Sequence, residues 1–95
     1  MDKGEREKLY LNAILKYGLD KQIMTLFEEC GELIDAMAKT YRGRSTQEDV
    51  ITELADVSIM VEQLAAFYGT DRFEAEKERK LERLKNRLES KEVWE

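Results

Sequence analysis

The sequence predicts an all-α fold of four helices. Three observations carry that prediction. Apolar residues recur at i, i+3 and i+4 spacing, and no stretch alternates with the period of two that marks a strand. Proline is absent, so nothing forces a break inside a long helix. Gly18, Gly43 and Gly69 each close an apolar-periodic stretch, with capping residues a few positions later.

These signals place helices at about 5–17, 20–42, 46–68 and 72–91. Asp20 is the expected cap of the second helix. Ser45-Thr46-Gln47-Glu48 and Asp71-Arg72-Phe73-Glu74 have capping-box form ahead of the third and fourth. The second helix carries Ile23, Leu26, Phe27, Cys30, Ile34, Met37, Ala38 and Tyr41 as its expected core stripe. Cys30, central in that stripe, reads as a small core residue. Gly31 costs about 1 kcal/mol relative to alanine inside a helix, which suggests close approach by another helix. The third helix is apolar over a wide arc: Val50, Ile51, Leu54, Val57, Met60, Val61, Leu64 and Tyr68, with Ile59 on the far side. A helix apolar nearly all round is normally buried nearly all round. One small chain has little material to cover it, so a second subunit is expected on the Ile59 side. The fourth helix has a narrow seam of Phe73, Leu81, Leu84 and Leu88. Lys77, Lys80, Arg87 and Lys91 flank it on one side, Glu78, Glu82 and Glu89 on the other. Its plainest reading is a solvated helix with i, i+4 ion pairs.

Composition excludes much chemistry. The 95 residues make a single domain, 1–95. Their 42% apolar content supports a small core and argues against disorder. Against 21 acids stand 16 bases, a net charge of −5, which argues against binding a nucleic acid polymer through a basic surface. With no histidine there is no serine–histidine or cysteine–histidine pair and no histidine metal site. Cys30 is the only cysteine, so neither an intrachain disulfide nor a cysteine zinc site can form. No apolar run has the length of a membrane span, and residues 1–17 lack the apolar core of a signal peptide. A reduced cytoplasmic protein away from membranes is expected.

Acid pairs three residues apart recur along the chain, so spacing alone decides nothing. Context singles out Glu53. At about 100° per residue it falls inside the apolar arc of the third helix, bracketed by Val57, Met60 and Leu64, with Asp56 at the arc's edge. An isolated buried carboxylate costs several kcal/mol, so Glu53 must be neutralised, paired or metal-bound. A buried ion pair with lysine or arginine is the simplest alternative. Glu29 and Glu32 share a flank of the second helix, and a short loop through Gly43 lets the two helices run antiparallel with their acid pairs facing. Four converging carboxylates repel unless a divalent cation sits among them. An all-oxygen set without histidine or thiolate suits Mg²⁺ or Mn²⁺.

Glu28-Glu29-Cys30-Gly31-Glu32-Leu33 followed by Glu53-Leu54-Ala55-Asp56-Val57 resembles the EExxE … ExxD signature of the MazG-like all-α nucleoside triphosphate pyrophosphohydrolases. The resemblance extends over roughly Leu19–Leu88, and the two halves in order are far more specific than either alone. It implies a four-helix module, dimeric or tetrameric, that uses Mg²⁺ to hydrolyse a (d)NTP to the monophosphate and pyrophosphate. Glu29, Glu32, Glu53 and Asp56 would be the metal ligands by motif position. Glu28 would orient water or a second metal, although on a helix it points away from Glu29. A water activated by metal would attack the α-phosphorus.

The resemblance also implies cations on the last helix. Lys80 and Arg87 share a face there, with Arg83 or Leu84 where the family pattern has asparagine; Asn86 comes too late in register. Lys39 and Met60 stand where pyrimidine-specific relatives carry aromatics. Tyr10 and Tyr17 are the candidates for base contact, with core packing an equal explanation of Tyr17. Two other readings compete: a non-catalytic helical interaction module, and a regulator that binds nucleotide without turnover.

Overall fold

The computed structural model describes residues 1–90. They form four α-helices and, among the described residues, no strand: α1 (Lys3–Tyr17), α2 (Leu19–Tyr41), α3 (Gln47–Tyr68) and α4 (Thr70–Glu89). The expected continuation of the last helix to 91, and Lys91 in its basic flank, lie outside the described residues.

The helix ends correct the expected caps. Asp2 caps α1, accepting from the Glu5 N–H at 2.8 Å, so this helix begins two residues early. Gly18 alone separates α1 from α2, at φ 90°. Asp20 therefore sits within the first turn of α2 rather than capping it, where its charge still favours the positive end of the helix. The capping box of α3 forms one residue later than Ser45/Glu48. The Asp49 N–H donates to Thr46 Oγ1 at 3.2 Å, and the Thr46 N–H returns to Asp49 Oδ2 at 3.1 Å. Ser45 Oγ donates to the same carboxylate at 2.7 Å, which holds Asp49 below its ordinary pKa. The Asp71/Glu74 box does not form, because Gly69, at φ 129°, turns the chain directly into α4.

Packing centres on α3, which touches all three other helices. α1 leans on it through the buried Tyr10 and Ile14, and Tyr10 Oη donates to Glu62 Oε1 at 2.7 Å. α2 makes the most extensive contact. Its inward face is the heptad-spaced row Gln22, Leu26, Glu29, Leu33, Ala36 and Thr40, all buried or half-buried. The expected core stripe lies one residue round from that row, and much of it is uncovered. Phe27 is 60% exposed, Ile34 70%, Met37 more than half and Tyr41 94%, while Ile23, Leu26, Cys30 and Ala38 are intermediate. Both rows have helical spacing, and a single chain supplies a neighbour for only one. Gly31 meets no close helix either; a Cβ built there would have open space around it. Ile51, Leu54 and Ile59 of α3 are likewise about half exposed.

α4 touches α3 alone. Beyond Thr70 and Phe73, both half-buried, its residues are exposed, the seam of Leu81, Leu84 and Leu88 included. Glu76 pairs with Arg79 and approaches Lys80 at 3.9 Å, the solvated ion pairing expected of this helix.

Candidate metal centre

Gln63 of α3 donates its side-chain amide to Gln22 Oε1, and the acids of α2 meet those of α3 further along the same contact. The chain therefore returns along itself, with residues two turns from Gln22 facing residues two turns from Gln63. Glu29 and Asp56 occupy those places. Glu32 and Glu53 lie one turn on, on the same side.

One carboxylate oxygen from each of Glu29, Glu53 and Asp56 falls within 4.8 Å of the others, and all three residues are half-buried. Glu32 is more exposed, yet its charge lies close enough to Glu29 and Glu53 to act on both. Three of the four expected ligands, Glu29, Glu53 and Asp56, thus converge, with Glu32 close beside them. Glu28 does not join them: it is exposed on the outer side of α2.

The electrostatics are those of an uncompensated cluster. Burial, then the neighbouring Glu32 and Asp56, push Glu29 above the ordinary carboxylate range, and the same influences in the same order push up Glu53. No lysine or arginine figures among the influences on either group. Glu29 Oε2 and Glu53 Oε2 are buried without a hydrogen-bond partner. The alternative of a Glu53 ion pair required a cation beside it and a lowered pKa; among the described residues no ion pair reaches Glu53, and its pKa is raised. Buried carboxylate oxygens that lack donors are what a cation site requires when it is built only of oxygen. Adjacent oxygen ligands of Mg²⁺ stand about 3 Å apart and opposite ones about 4 Å. The three acids could therefore close on a hard divalent cation by moving inward, and glutamate side chains are long enough to do so.

The other expected residues lie elsewhere. Lys80, Arg83 and Arg87 line a shallow hollow of about 240 Å³ with Leu84, walled by α4 alone and containing none of the four acids. Lys39 is paired with Asp35 at 2.7 Å, and Met60 is buried. Tyr10 lines a separate cleft of about 500 Å³ between α1, α3 and α4, together with Ser58, Glu62, Phe73 and Lys77. Burial and the Glu62 carboxylate raise its pKa. Tyr17 is half exposed, with the Lys16 and Lys21 ammonium groups 5.5 and 6.0 Å from its ring centre. The sequence reading missed Gln22 and Gln63, which are polar yet among the most buried residues described. Their signal was the seven-residue spacing from Glu29 and Asp56.

No family model, no curated protein and no solved structure gives a significant match to this chain.

Proposed function

We propose that the protein is a Mg²⁺-dependent nucleoside triphosphate pyrophosphohydrolase. One observation carries the reading: Glu29, Glu53 and Asp56 of EExxE … ExxD converge with Glu32 close by, two of their buried oxygens lack a hydrogen-bond partner, and among the described residues no lysine or arginine pairs with them. Glu29, Glu32, Glu53 and Asp56 would hold the ion, with Mn²⁺ an acceptable substitute. A bound Mg²⁺ supplies positive charge to phosphate oxygens and lowers the pKa of water. The chain's own acids would orient the attacking water, and the proton it loses would pass to a carboxylate oxygen of the cluster that the ion does not engage. Water adds its oxygen to the α-phosphorus, the bond from that phosphorus to the β-phosphate bridging oxygen breaks, and pyrophosphate leaves with the electron pair. The products are a nucleoside monophosphate and pyrophosphate.

In this reading the working form is a homodimer or homotetramer. The exposed row of Phe27, Ile34, Met37 and Tyr41 beside Ile51, Leu54 and Ile59 is the surface that a second copy would cover. Lys80, Arg83 and Arg87 would hold substrate phosphate once assembly brings an α4 to an acid cluster. Among the described residues no helix is long and apolar enough to cross a membrane. A single cysteine suits the reducing cytoplasm in which a (d)NTP would be met.

The test is a product assay on natural (d)NTPs with Mg²⁺ and with EDTA. Mg²⁺-dependent pyrophosphate from at least one substrate is expected. Orthophosphate as first product would place the attack at the γ-phosphorus and refute the mechanism. Binding of Mg²⁺ and triphosphate without turnover would make the protein a regulator instead.

A further inference from the structure

We infer that the buried Gln22–Gln63 amide pair is a positioning device, which locks α2 against α3 in the one register that sets Glu29 opposite Asp56 and Glu32 opposite Glu53. The inference rests on the reading of the four acids as a cation site, and it adds two residues that neither acid motif contains.

Three features of the fold support it. The pair is polar where apolar residues would serve stability better. Gln22 is 8% exposed and Gln63 5%, and they are bonded to each other across the α2–α3 contact. A buried hydrogen bond between neutral amides does little more than offset its own desolvation, so retaining one in a small core implies a role in specificity. The second feature is placement. Gln22 and Glu29 are seven residues apart on α2, and Gln63 and Asp56 are seven apart on α3, two turns in each case. Pair and acids therefore lie in the same contact row, with the half-buried Leu26 and the buried Met60 falling between them in sequence. Whatever fixes one end of that row fixes the other.

The third feature is that apolar packing alone does not choose the register. α2 offers two adjacent rows of equal spacing: Leu26, Leu33 and Ala36 facing α3, and Phe27, Ile34 and Met37 facing outward. Turning α2 by one residue would bury the second row just as well, and would also separate the mutually repelling acids. The amides oppose that movement. Either a turn or a one-turn slip leaves both of them buried without a partner, which apolar neighbours cannot make good.

The experiment uses the full chain and replaces both glutamines by methionine, the apolar side chain closest in length: Gln22→Met/Gln63→Met. In EDTA the variant should melt at or above the wild-type temperature. Its backbone amide resonances at Glu29, Glu32, Glu53 and Asp56 should split or broaden, as the helices sample more than one register. Mn²⁺ affinity, read by electron paramagnetic resonance of the free ion, should weaken about tenfold or more, as for other groups that orient metal ligands at one remove. Leu33→Met, in the same row, is the control and should change neither spectrum nor affinity. A single sharp set of amides at wild-type positions overturns the inference. So does a variant that melts well below wild type or fails to fold, since the pair would then be a stability element. Should the wild type itself fail to bind Mn²⁺, the cation reading falls, and the amide spectra in EDTA still decide the register claim.

Discussion

α4 is far more densely charged than α2 and α3, and the two regions use their charge in opposite ways. Along α4, acids and bases alternate on a solvated surface; Glu76 with Arg79 and Lys80 lowers the pKa of the glutamate and commits it to nothing beyond its own helix. Between α2 and α3, charges of one sign are gathered from two helices and half-buried, and the pKa of Glu29 and Glu53 rises. Exposed opposite charges three or four apart are worth a few tenths of a kcal/mol and are readily replaced. Like charges brought together against their own repulsion need a compensating reason. The contrast sets the acid cluster of the α2–α3 contact apart from the solvated ion pairs of α4.

The strongest way to break this contrast is Glu53→Gln. The variant should lose nearly all hydrolysis. In EDTA at neutral pH it should melt a few degrees above wild type, because one repelling charge is gone and an amide is cheaper to bury. Mg²⁺ should then raise the melting temperature of wild type and barely move that of the variant. Differential scanning calorimetry with and without the metal decides it: a variant clearly less stable than wild type in EDTA points to a lost ion pair.

Next in size is assembly. Ile34→Glu places a charge in the exposed row of α2, and Ile59→Glu does so on α3. Each should shift a dimer or tetramer towards monomer in analytical ultracentrifugation at micromolar concentration. Wild type sedimenting as a monomer would leave the apolar row without this explanation.

The pH dependence sharpens the comparison further. In the fold Glu29 and Glu53 hold their protons more tightly than the unfolded chain does, so their repulsion is felt in full above their raised pKa values. It is relieved as pH falls through those values towards the ordinary 4.5. Asp2, Asp49 and Glu76 have lowered values, and their contribution is lost only as pH falls through the lower ones. In EDTA the melting temperature should therefore rise on mild acidification from pH 7 and fall again in strong acid. With Mg²⁺ bound, mild acidification should destabilise, since protons then compete with the ion. A melting temperature in EDTA that declines steadily from pH 7 downwards contradicts the cluster.

The smallest expected effect is on α4. Lys80→Ala and Arg87→Ala should raise KM for a triphosphate several-fold, whereas Lys85→Ala should leave it unchanged. Equal effects from all three would make the basic flank a solvated face with no substrate role.

What the sequence made legible follows the same division. Four helices were readable because glycines end apolar-periodic stretches and no proline interrupts them. Glu53 was readable because its helical neighbours Val57, Met60 and Leu64 are apolar. Ser45/Glu48 and Thr46/Asp49 satisfy the same capping pattern one residue apart, and local sequence does not choose between them. The rows of α2 pose the same ambiguity at larger scale. Periodicity shows that a face is apolar, not which neighbour covers it, and the more apolar row was the one left outside. Gln22 and Gln63 were hidden because polarity reads as surface until a partner across the contact is known.

Gly69 has a mechanical consequence. It is the whole connection between α3 and α4, and its φ of 129° lies where L-residues are strained; a Cβ there would meet only Arg72 at 3.6 Å, an ordinary contact. The constraint is thus torsional, not spatial. α4 runs for 20 residues, a lever of about 30 Å. A change of roughly 10° at its foot swings its tip by about 5 Å, more than the reach between an arginine and a phosphate oxygen. The direction in which Arg87 points is therefore set 18 positions upstream, by the torsions of a residue that has no side chain.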